Sequence, residues 1–398
     1  MNDQEIDHHA LTTPRTAERS VKALAGHLAG HHAAKANASQ ATARSIFRWI
    51  ADRITYGDNP ASHPRQGGDP TPDQVLRHRR ALCGGFARLY QALGCAAGLE
   101  VELVPGHVKG RGYTIGKALK GAGDHLWNAV RLDGKWHLLD VTWGAGVVRG
   151  EGFHQEFQPH YFLTPPALFA LDHLPDDPGW QLLEPPVSRK VFQELPIYKP
   201  PYFTLGLRAP VDYPGTLPVR DQFSIVLERP SHVLAMAELW SRGRPLPDTL
   251  TFAQHSPGRV TLMARFPRPG PYLLRIYGKD QRAGEPYQWA LDYRLQAQQG
   301  WGSLPAFPKT FADFASHQAL LEEPLAGRLA AGSQQRFRIH LPGAESVGLS
   351  FNGQWHPMDC QDGWFTTRIR IPRGEITLAA TMPGMDAMPI LLKFQSSS

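Results

Sequence analysis

The stretch Asp124-His125-Leu126-Trp127-Asn128-Ala129-Val130-Arg131-Leu132-Asp133-Gly134-Lys135-Trp136-His137-Leu138-Leu139-Asp140-Val141-Thr142-Trp143 decides how this chain reads. Two apolar and aromatic runs, 126–132 and 136–143, flank Asp-Gly, the dipeptide best suited to a two-residue hairpin turn. With that turn Leu132 pairs with Lys135. Counting outward sets Trp127 opposite Asp140 and His125 opposite Thr142. His125 and Asp140 then share a face as diagonal neighbours, about 7–8 Å apart at the backbone and within side-chain reach. A slip of one residue would send them to opposite faces. The hairpin thus offers an imidazole with a carboxylate to orient it, the pair that an activated nucleophile needs.

A nucleophile of the right kind stands upstream, in Cys83-Gly84-Gly85-Phe86-Ala87-Arg88-Leu89-Tyr90. Phe86, Leu89, Tyr90, Leu93 and Ala97 recur at helical spacing, so Cys83 falls at or just before a helix N-terminus. Unpaired N–H groups and the helix dipole favour an anion there, and the thiolate is the reactive form of cysteine. Gly84 and Gly85 would let a substrate carbonyl approach the backbone and would supply N–H donors to an oxyanion. They form, with Trp127 and Trp143, the candidate substrate-contacting set. Gln66 and Gln74 are further oxyanion donors to consider. The competing reading is a small buried hydrophobe at a helix start, because free cysteine is commonly buried.

These segments resemble the transglutaminase-like cysteine-protease superfamily, and within it the kyphoscoliosis-peptidase branch. The likeness rests on Arg44-Ser45-Ile46-Phe47-Arg48-Trp49-Ile50 with Tyr56, on Cys83-Gly84-Gly85-Phe86-Ala87, and on Gly106-His107-Val108-Lys109-Gly110. It continues through His125-Leu126-Trp127-Asn128-Ala129-Val130, Asp140-Val141-Thr142-Trp143-Gly144, Tyr161-Phe162-Leu163 and His173-Leu174-Pro175-Asp176-Asp177-Pro178-Gly179-Trp180. It covers about residues 41–200. The resemblance implies an α+β, papain-like core with a helix-borne Cys and an antiparallel sheet. It makes Cys83 the nucleophile, His125 the general base and acid, and Asp140 the orienting carboxylate. One departure is Gly84, where such proteins often carry a bulkier polar or acidic residue.

The chain has 398 residues, too many for one core, so two to three domains are expected. Apolar residues make up 42% and charged ones 20%, the balance of a globular protein rather than a disordered one. The net charge of +6 comes from scattered Lys and Arg with no basic stripe, which argues against nucleic-acid binding. No apolar run is long enough to span a bilayer, and residues 1–10 are polar and acidic without a signal-peptide pattern. Three cysteines (Cys83, Cys95 and Cys360) do not make a disulfide scaffold. Cytoplasmic residence is the expectation, with no membrane partner and no cofactor.

Residues 1–40 read as an N-terminal tail or helical extension, with a helix over 21–29. His27 and His31 lie one turn apart there, but no third ligand stands beside them in sequence. They, His8-His9 and His31-His32 are read as exposed, and no metal site is assigned. Residues 42–56 form a core-facing helix through Ile46, Phe47, Ile50 and Ile54, with Trp49 in the core or along the cleft. Residues 57–71 form a loop, 72–80 a short helix, 99–104 a strand and 106–121 a basic, Gly-rich loop. That loop carries His107, Lys109, Arg111, Tyr113 and Lys117, and is either a substrate-selecting lid or a plain connection. His107 competes with His125 as the base but lacks a carboxylate at a useful spacing, and His137 falls on the other hairpin face. Beyond residue 200 the pattern turns to short strands, giving two β-sandwich (Ig-like) domains at 201–300 and 301–398 after a catalytic domain at 41–200. Phe223-Ser224-Ile225 and Phe337-Arg338-Ile339 mark the two as a weak internal repeat.

The expected function is thiol-dependent acyl transfer on protein or peptide substrates through an acyl-enzyme. Hydrolysis, as a peptidase or amidase, ranks ahead of transglutaminase-type crosslinking or deamidation. No acidic Ca²⁺ loop of the D-x-D-x-D-G kind is present to support a calcium-activated crosslinker. A protein-binding scaffold with a vestigial core, using the C-terminal β domains to dock a partner, is the alternative from another class.

Overall fold

A computed structural model describes residues 2–33, 37–57, 70–150, 152–209, 214–302, 306–385 and 387–397. The expected loop at 57–71 lies largely outside these, and Gln66 does so entirely. The chain divides into two compact units, Met1–Leu195 and Pro196–Ser398.

The first unit is built from helices α1 (Asp3–Leu11), α2 (Val21–Gly30), α3 (Ala38–Arg53), α4 (Pro72–His78), α5 (Cys83–Ala96) and α6 (Val141–Ala145). They accompany strands β1 (Glu100–Val108), β2 (His125–Leu132), β3 (Lys135–Leu139) and β4 (His173–Pro175). The sheet is antiparallel throughout, in the order β3-β2-β1-β4. Asp133 (φ 48°) and Gly134 (φ 78°) make the hairpin turn with both central residues left-handed. Leu132 pairs with Lys135, as the turn dictates, and the ladder runs outward to Asn128 opposite Leu139.

There the hairpin departs from the expectation. Asp140 becomes the N-cap of α6, so Thr142 lies in a helix and pairs with no strand residue. The backbone turns because the Asp140 carboxylate satisfies the first free N–H groups of that helix. Gly144 is needed for the turn to close, since a Cβ there would lie 2.2 Å from the Phe47 ring.

α3 and α5 supply the helical half of the core. Ile46, Phe47, Trp49 and Ile50 of α3 meet Phe86, Leu89, Tyr90 and Leu93 of α5, all fully buried. Each such side chain withdrawn from water contributes about 1.5–3 kcal/mol before entropy is counted. Trp49 is a core residue, not a cleft wall. Its indole N–H donates to Glu18 at 3.1 Å, and the Arg79 guanidinium stacks 4.9 Å from its ring. Residues 1–40 are not an exposed tail either, because Ala10, Leu24, Ala25 and Leu28 are buried in the same core. Arg44 anchors α1 from below, with contacts of 2.8 Å to both Asp3 and Asp7.

The expected loop at 106–121 begins later than its glycines imply. Gly106, His107 and Val108 belong to β1 and pair with Pro175, Leu174 and His173. Gly106 cannot carry a side chain, since a Cβ would meet the Leu174 carbonyl at 2.3 Å and the Trp127 ring at 2.4 Å. Lys109 turns inward: its ammonium donates to the Leu195 carbonyl at 3.2 Å and sits 4.7 Å from the Phe192 ring.

The second unit holds two sandwiches of matching strand order, the second with Leu320–Glu323 added at the edge of its smaller sheet. In the first, one sheet runs Thr216–Val219, Gln288–Ala297, Gly270–Asp280, Val233–Ser241, Arg244–Pro245, against a sheet of Gln222–Glu228, Arg259–Arg265 and Thr251–Ser256. In the second, Ile390–Ser397, Glu375–Thr381, Ser346–Phe351 and Gln354–Pro357 face Gln334–His340, Trp364–Arg370 and Asp359–Gln361. Arg328–Ala330 runs parallel to Ile390–Ser397 as Thr216–Val219 does to Gln288–Ala297. The two Phe-x-Ile marks fall on equivalent strands, with Ile225 and Ile339 both buried. Inside the first sandwich, Arg275 forks onto buried Asp292 through two 2.9 Å bonds, between the rings of Trp240 and Trp289.

Candidate active site

Cys83 is the first residue of α5, preceded by Leu82 in an extended conformation, and no described side chain caps this helix end. Gly85 and Phe86 donate their N–H groups to the Leu82 carbonyl, which leaves those of Cys83 and Gly84 as the donors nearest the sulfur. Gly84 is buried beside it. Gly85 faces inward, where a Cβ would lie 2.6 Å from that of Ala81 and 3.1 Å from Val75 Cγ2, so it lets α5 settle on α4. Gln74 closes a capping box at the start of α4, its carbonyl oxygen accepting from the Thr71 N–H at 2.8 Å.

One buried amide sets the helix against the sheet. Asn128 of β2 donates from Nδ2 to the Ala87 carbonyl of α5 at 3.1 Å and to the Glu102 carbonyl of β1 at 3.3 Å. Three residues before it on the same strand, His125 faces the start of α5. Its Nε2 donates to Asp140 Oδ2 at 2.7 Å, and Cys83 stands close enough to help raise the pKa of the ring. With Nε2 on the carboxylate, Nδ1 is the nitrogen left for the sulfur. Cys83, His125 and Asp140 thus form a line of neighbours, with a hydrogen bond between the last two.

Burial by itself would lower the His125 pKa, but the charge and hydrogen bond of Asp140, together with Cys83, outweigh it and push it up to about 10. Burial likewise works against ionisation of Asp140, yet His125 and His173 hold its carboxyl well below the usual range. The two oxygens of Asp140 have separate partners. Oδ1 accepts from the N–H groups of Thr142 at 2.8 Å and Trp143 at 3.2 Å, while Oδ2 faces the imidazoles.

The remaining candidates fall around this line. Trp127 is 1% exposed and lies behind His125 as an aromatic wall, its ring centroid 6.2 Å away. Trp143 is half-buried, 5.9 Å from His125 by ring centroids. His107 is buried in β1 and bonded to the Gly121 carbonyl at 3.3 Å. His27 and His31 do gain a third neighbour, the His9 ring, at 4.8 and 4.2 Å between centroids. Those rings stack, and their nitrogens do not converge: among the described residues only His125, Asp140 and His173 bring ligand atoms within 4.8 Å of one another. In that trio both imidazoles lie at hydrogen-bond distance from one Asp140 oxygen, His125 at 2.7 Å and His173 at 3.1 Å.

Three neighbours of the line were not assigned a role from sequence. Tyr56 stands close enough to Cys83 and Asp140 that burial first, and then their charges, raise its pKa. Tyr161 accepts the Asp140 N–H at its carbonyl, at 3.0 Å. His173 of β4 is fully buried and donates to the same Asp140 oxygen at 3.1 Å. An Asp-His pair on an otherwise apolar segment, Asp172-His173-Leu174-Pro175, was the signal available for it.

Residues 26–141 match the transglutaminase-like superfamily, and residues 189–308 match the KY-like, immunoglobulin-like domain. The chain carries a transglutaminase-like core. Kyphoscoliosis peptidase of Mus musculus is 34% identical over 259 residues, which is 64% of this chain and 38% of that protein. The protein of the same name from Homo sapiens is 33% identical over 258 residues, again 64% and 38%. Hillarin of Drosophila melanogaster is 28% identical over 217 residues, 51% of this chain and 26% of its own length. The chain thus spans about two fifths of the length of the kyphoscoliosis peptidases it matches.

Proposed function

We propose that the transglutaminase-like core carries out thiol-dependent acyl transfer on protein or peptide substrates, with hydrolysis as the principal outcome. The observation that carries this reading is His125, bonded to Asp140 at 2.7 Å and near enough to Cys83, at the start of α5, to feel its charge. The pKa of His125, pushed up to about 10, keeps the ring protonated at neutral pH, which supports its role as the acid for a leaving group.

The Cys83 thiolate adds to the substrate carbonyl carbon, and the carbonyl π pair moves onto oxygen, facing the N–H groups at the start of α5. Collapse of this adduct breaks the C–N bond, and the departing amine takes the proton from His125 Nδ1. Sulfur now holds the acyl group and His125 is neutral. Water gives a proton back to Nδ1 as its oxygen attacks the thioester, and the thiolate leaves. An amine in place of water would give a crosslinked amide by the same steps. The hydrolytic label is supported by the peptidase name of the two relatives above. The C-terminal sandwiches, which supply no part of the triad, are proposed to present or dock protein partners. A reducing compartment such as the cytoplasm fits three free cysteines, one of them the nucleophile.

The test is Cys83→Ala, which keeps a small residue at the helix start. It should abolish hydrolysis and amine incorporation while the far-ultraviolet circular dichroism and melting curve stay as they were. Trapping the acyl group from a cellular protein mixture on Cys83, and identifying it by mass spectrometry, would name the substrate. Undiminished turnover in Cys83→Ala would mean that another group attacks. If neither water nor amine transfer is found and Cys83 reacts no faster than Cys95, the core is a scaffold.

A further inference from the structure

The line that begins at Cys83 does not end at Asp140. Beyond that carboxylate lies His173, with no exposed surface, its ring stacked on Phe169 at 4.0 Å and edge-on to Trp143 at 4.7 Å and Trp127 at 5.1 Å. Its Nε2 is 3.1 Å from Asp140 Oδ2 and its Nδ1 is 2.6 Å from Asp172 Oδ1. The other Asp172 oxygen accepts from the Tyr161 hydroxyl at 3.1 Å. Both ends of the imidazole therefore meet carboxylate oxygen.

Counting protons fixes what this arrangement is. A neutral imidazole has one N–H and one lone pair, so it can donate to one carboxylate only. Asp140 already accepts from His125 and from two backbone N–H groups, which makes it an acceptor toward His173 as well. The 2.6 Å contact on the far side requires a second proton between Nδ1 and Asp172. His173 and Asp172 together hold one proton more than a neutral imidazole and a carboxylate would. Asp140 consequently lies between two proton-bearing rings whose centroids are 6.0 Å apart.

We propose that His173, held by Asp172, is a positioning residue for the reaction: it shares the Asp140 carboxylate with His125 and so limits how tightly His125 keeps its proton. A general acid that never released its proton could not serve as the base for deacylation. An Asp140 divided between two imidazoles pulls less on each. The inference rests on the acyl-transfer reading above, because only then does the proton on His125 matter.

The groups that face this network are few. Asp172, Tyr161 and His160 stand on the His173 side, and Cys83 and Tyr56 on the His125 side. Removing the positive charge at position 173 leaves Asp140 to act on His125 alone, so the His125 proton should be held to higher pH.

The experiment uses the full chain with iodoacetamide as the probe. Alkylation of Cys83, Cys95 and Cys360 is read separately by peptide mass spectrometry between pH 5 and pH 11. The His125 ring is followed in parallel by ¹³Cε1-histidine NMR, assigned with His125→Ala. In the parent protein Cys83 should react at least tenfold faster than Cys95 and Cys360, and His125→Ala should remove that advantage. His173→Gln keeps an N–H toward Asp140 but no charge, and should move the His125 midpoint up by about one pH unit. Asp172→Asn leaves the ring in place, lets it become neutral, and should shift the midpoint in the same direction by less. A fast, His125-dependent Cys83 with an unmoved midpoint in both variants overturns the role of His173. So would a stoichiometric metal ion that disappears in His173→Gln. A Cys83 no faster than the other cysteines fails the acyl-transfer reading instead.

Discussion

Asn128 offers the most direct test of how the fold builds the site, because a single side chain ties the helix that carries Cys83 to the strand that carries His125. Its Nδ2 makes two bonds, to Ala87 O and Glu102 O, in a position with no exposed surface. A buried hydrogen bond is worth about 1 kcal/mol net, and the small cavity left by alanine adds to the loss. Asn128→Ala should therefore destabilise the Met1–Leu195 unit by about 2–4 kcal/mol. For a unit of this size that lowers its melting temperature by about 5–10 °C. Asn128→Asp should be worse than alanine, since it turns an acceptor, charged or forced to protonate, toward two carbonyl oxygens. The same change should loosen α5 relative to β2 and bring the Cys83 alkylation rate at neutral pH down toward that of Cys95. Differential scanning calorimetry and thiol labelling on one preparation read both effects. Should Asn128→Ala melt with the parent and label Cys83 at the parental rate, the amide is not what aligns helix and strand.

Gly144→Ala should cost about 1–3 kcal/mol by driving a methyl group into the Phe47 ring, and Phe47→Leu in the same chain should recover part of it. Urea denaturation of the single and double variants measures the coupling. Stability should also fall on the alkaline side. His125 titrates near 10 when folded against 6.5 in the open chain, so its contribution is complete below about pH 6.5 and drains away as pH rises through 10. The slope should reach at most about 1.4 kcal/mol per pH unit, and His125→Gln should flatten it. Asp140, whose folded pKa is depressed, acts oppositely: its share is present above the ordinary carboxyl range and is lost only as pH falls below it. In the first sandwich, Arg275→Leu should cost about 3–5 kcal/mol by leaving Asp292, 1% exposed, without its cation. Restoring neutrality with Asp292→Asn in that background should return much of the loss, as chemical denaturation would show.

Local signals carried the hairpin and the His125–Asp140 pair into view, and they did so for a physical reason. The Asp133-Gly134 turn fixes the register of everything within a few residues of it, so the pairing of Asn128 with Leu139 follows from counting. Counting failed at Asp140, where a carboxylate able to cap a helix competes with continued pairing and wins. His173 was out of reach because it lies 33 residues from Asp140 and joins it only through the pairing of β4 with β1. No turn sets that register; packing of Leu174 and Pro175 against Gly106 and Trp127 does. The N-terminal helices were misread as exposed for a related reason. Their apolar faces are short and Ala-rich, and only the core formed by α3 and α5 gives Leu24 and Leu28 somewhere to go.

The two-sided use of Asp140 has a consequence for what position 140 will tolerate. A carboxamide has a single acceptor atom, and asparagine here would have to point it either at the amides of Thr142 and Trp143 or at the imidazoles. Whichever way it turned, an NH₂ would confront groups that also donate. Catalytic dyads elsewhere can run on an amide partner, but this fold has welded the start of a helix to the orientation of a histidine through one pair of equivalent oxygens, so the two can be inherited or lost only together.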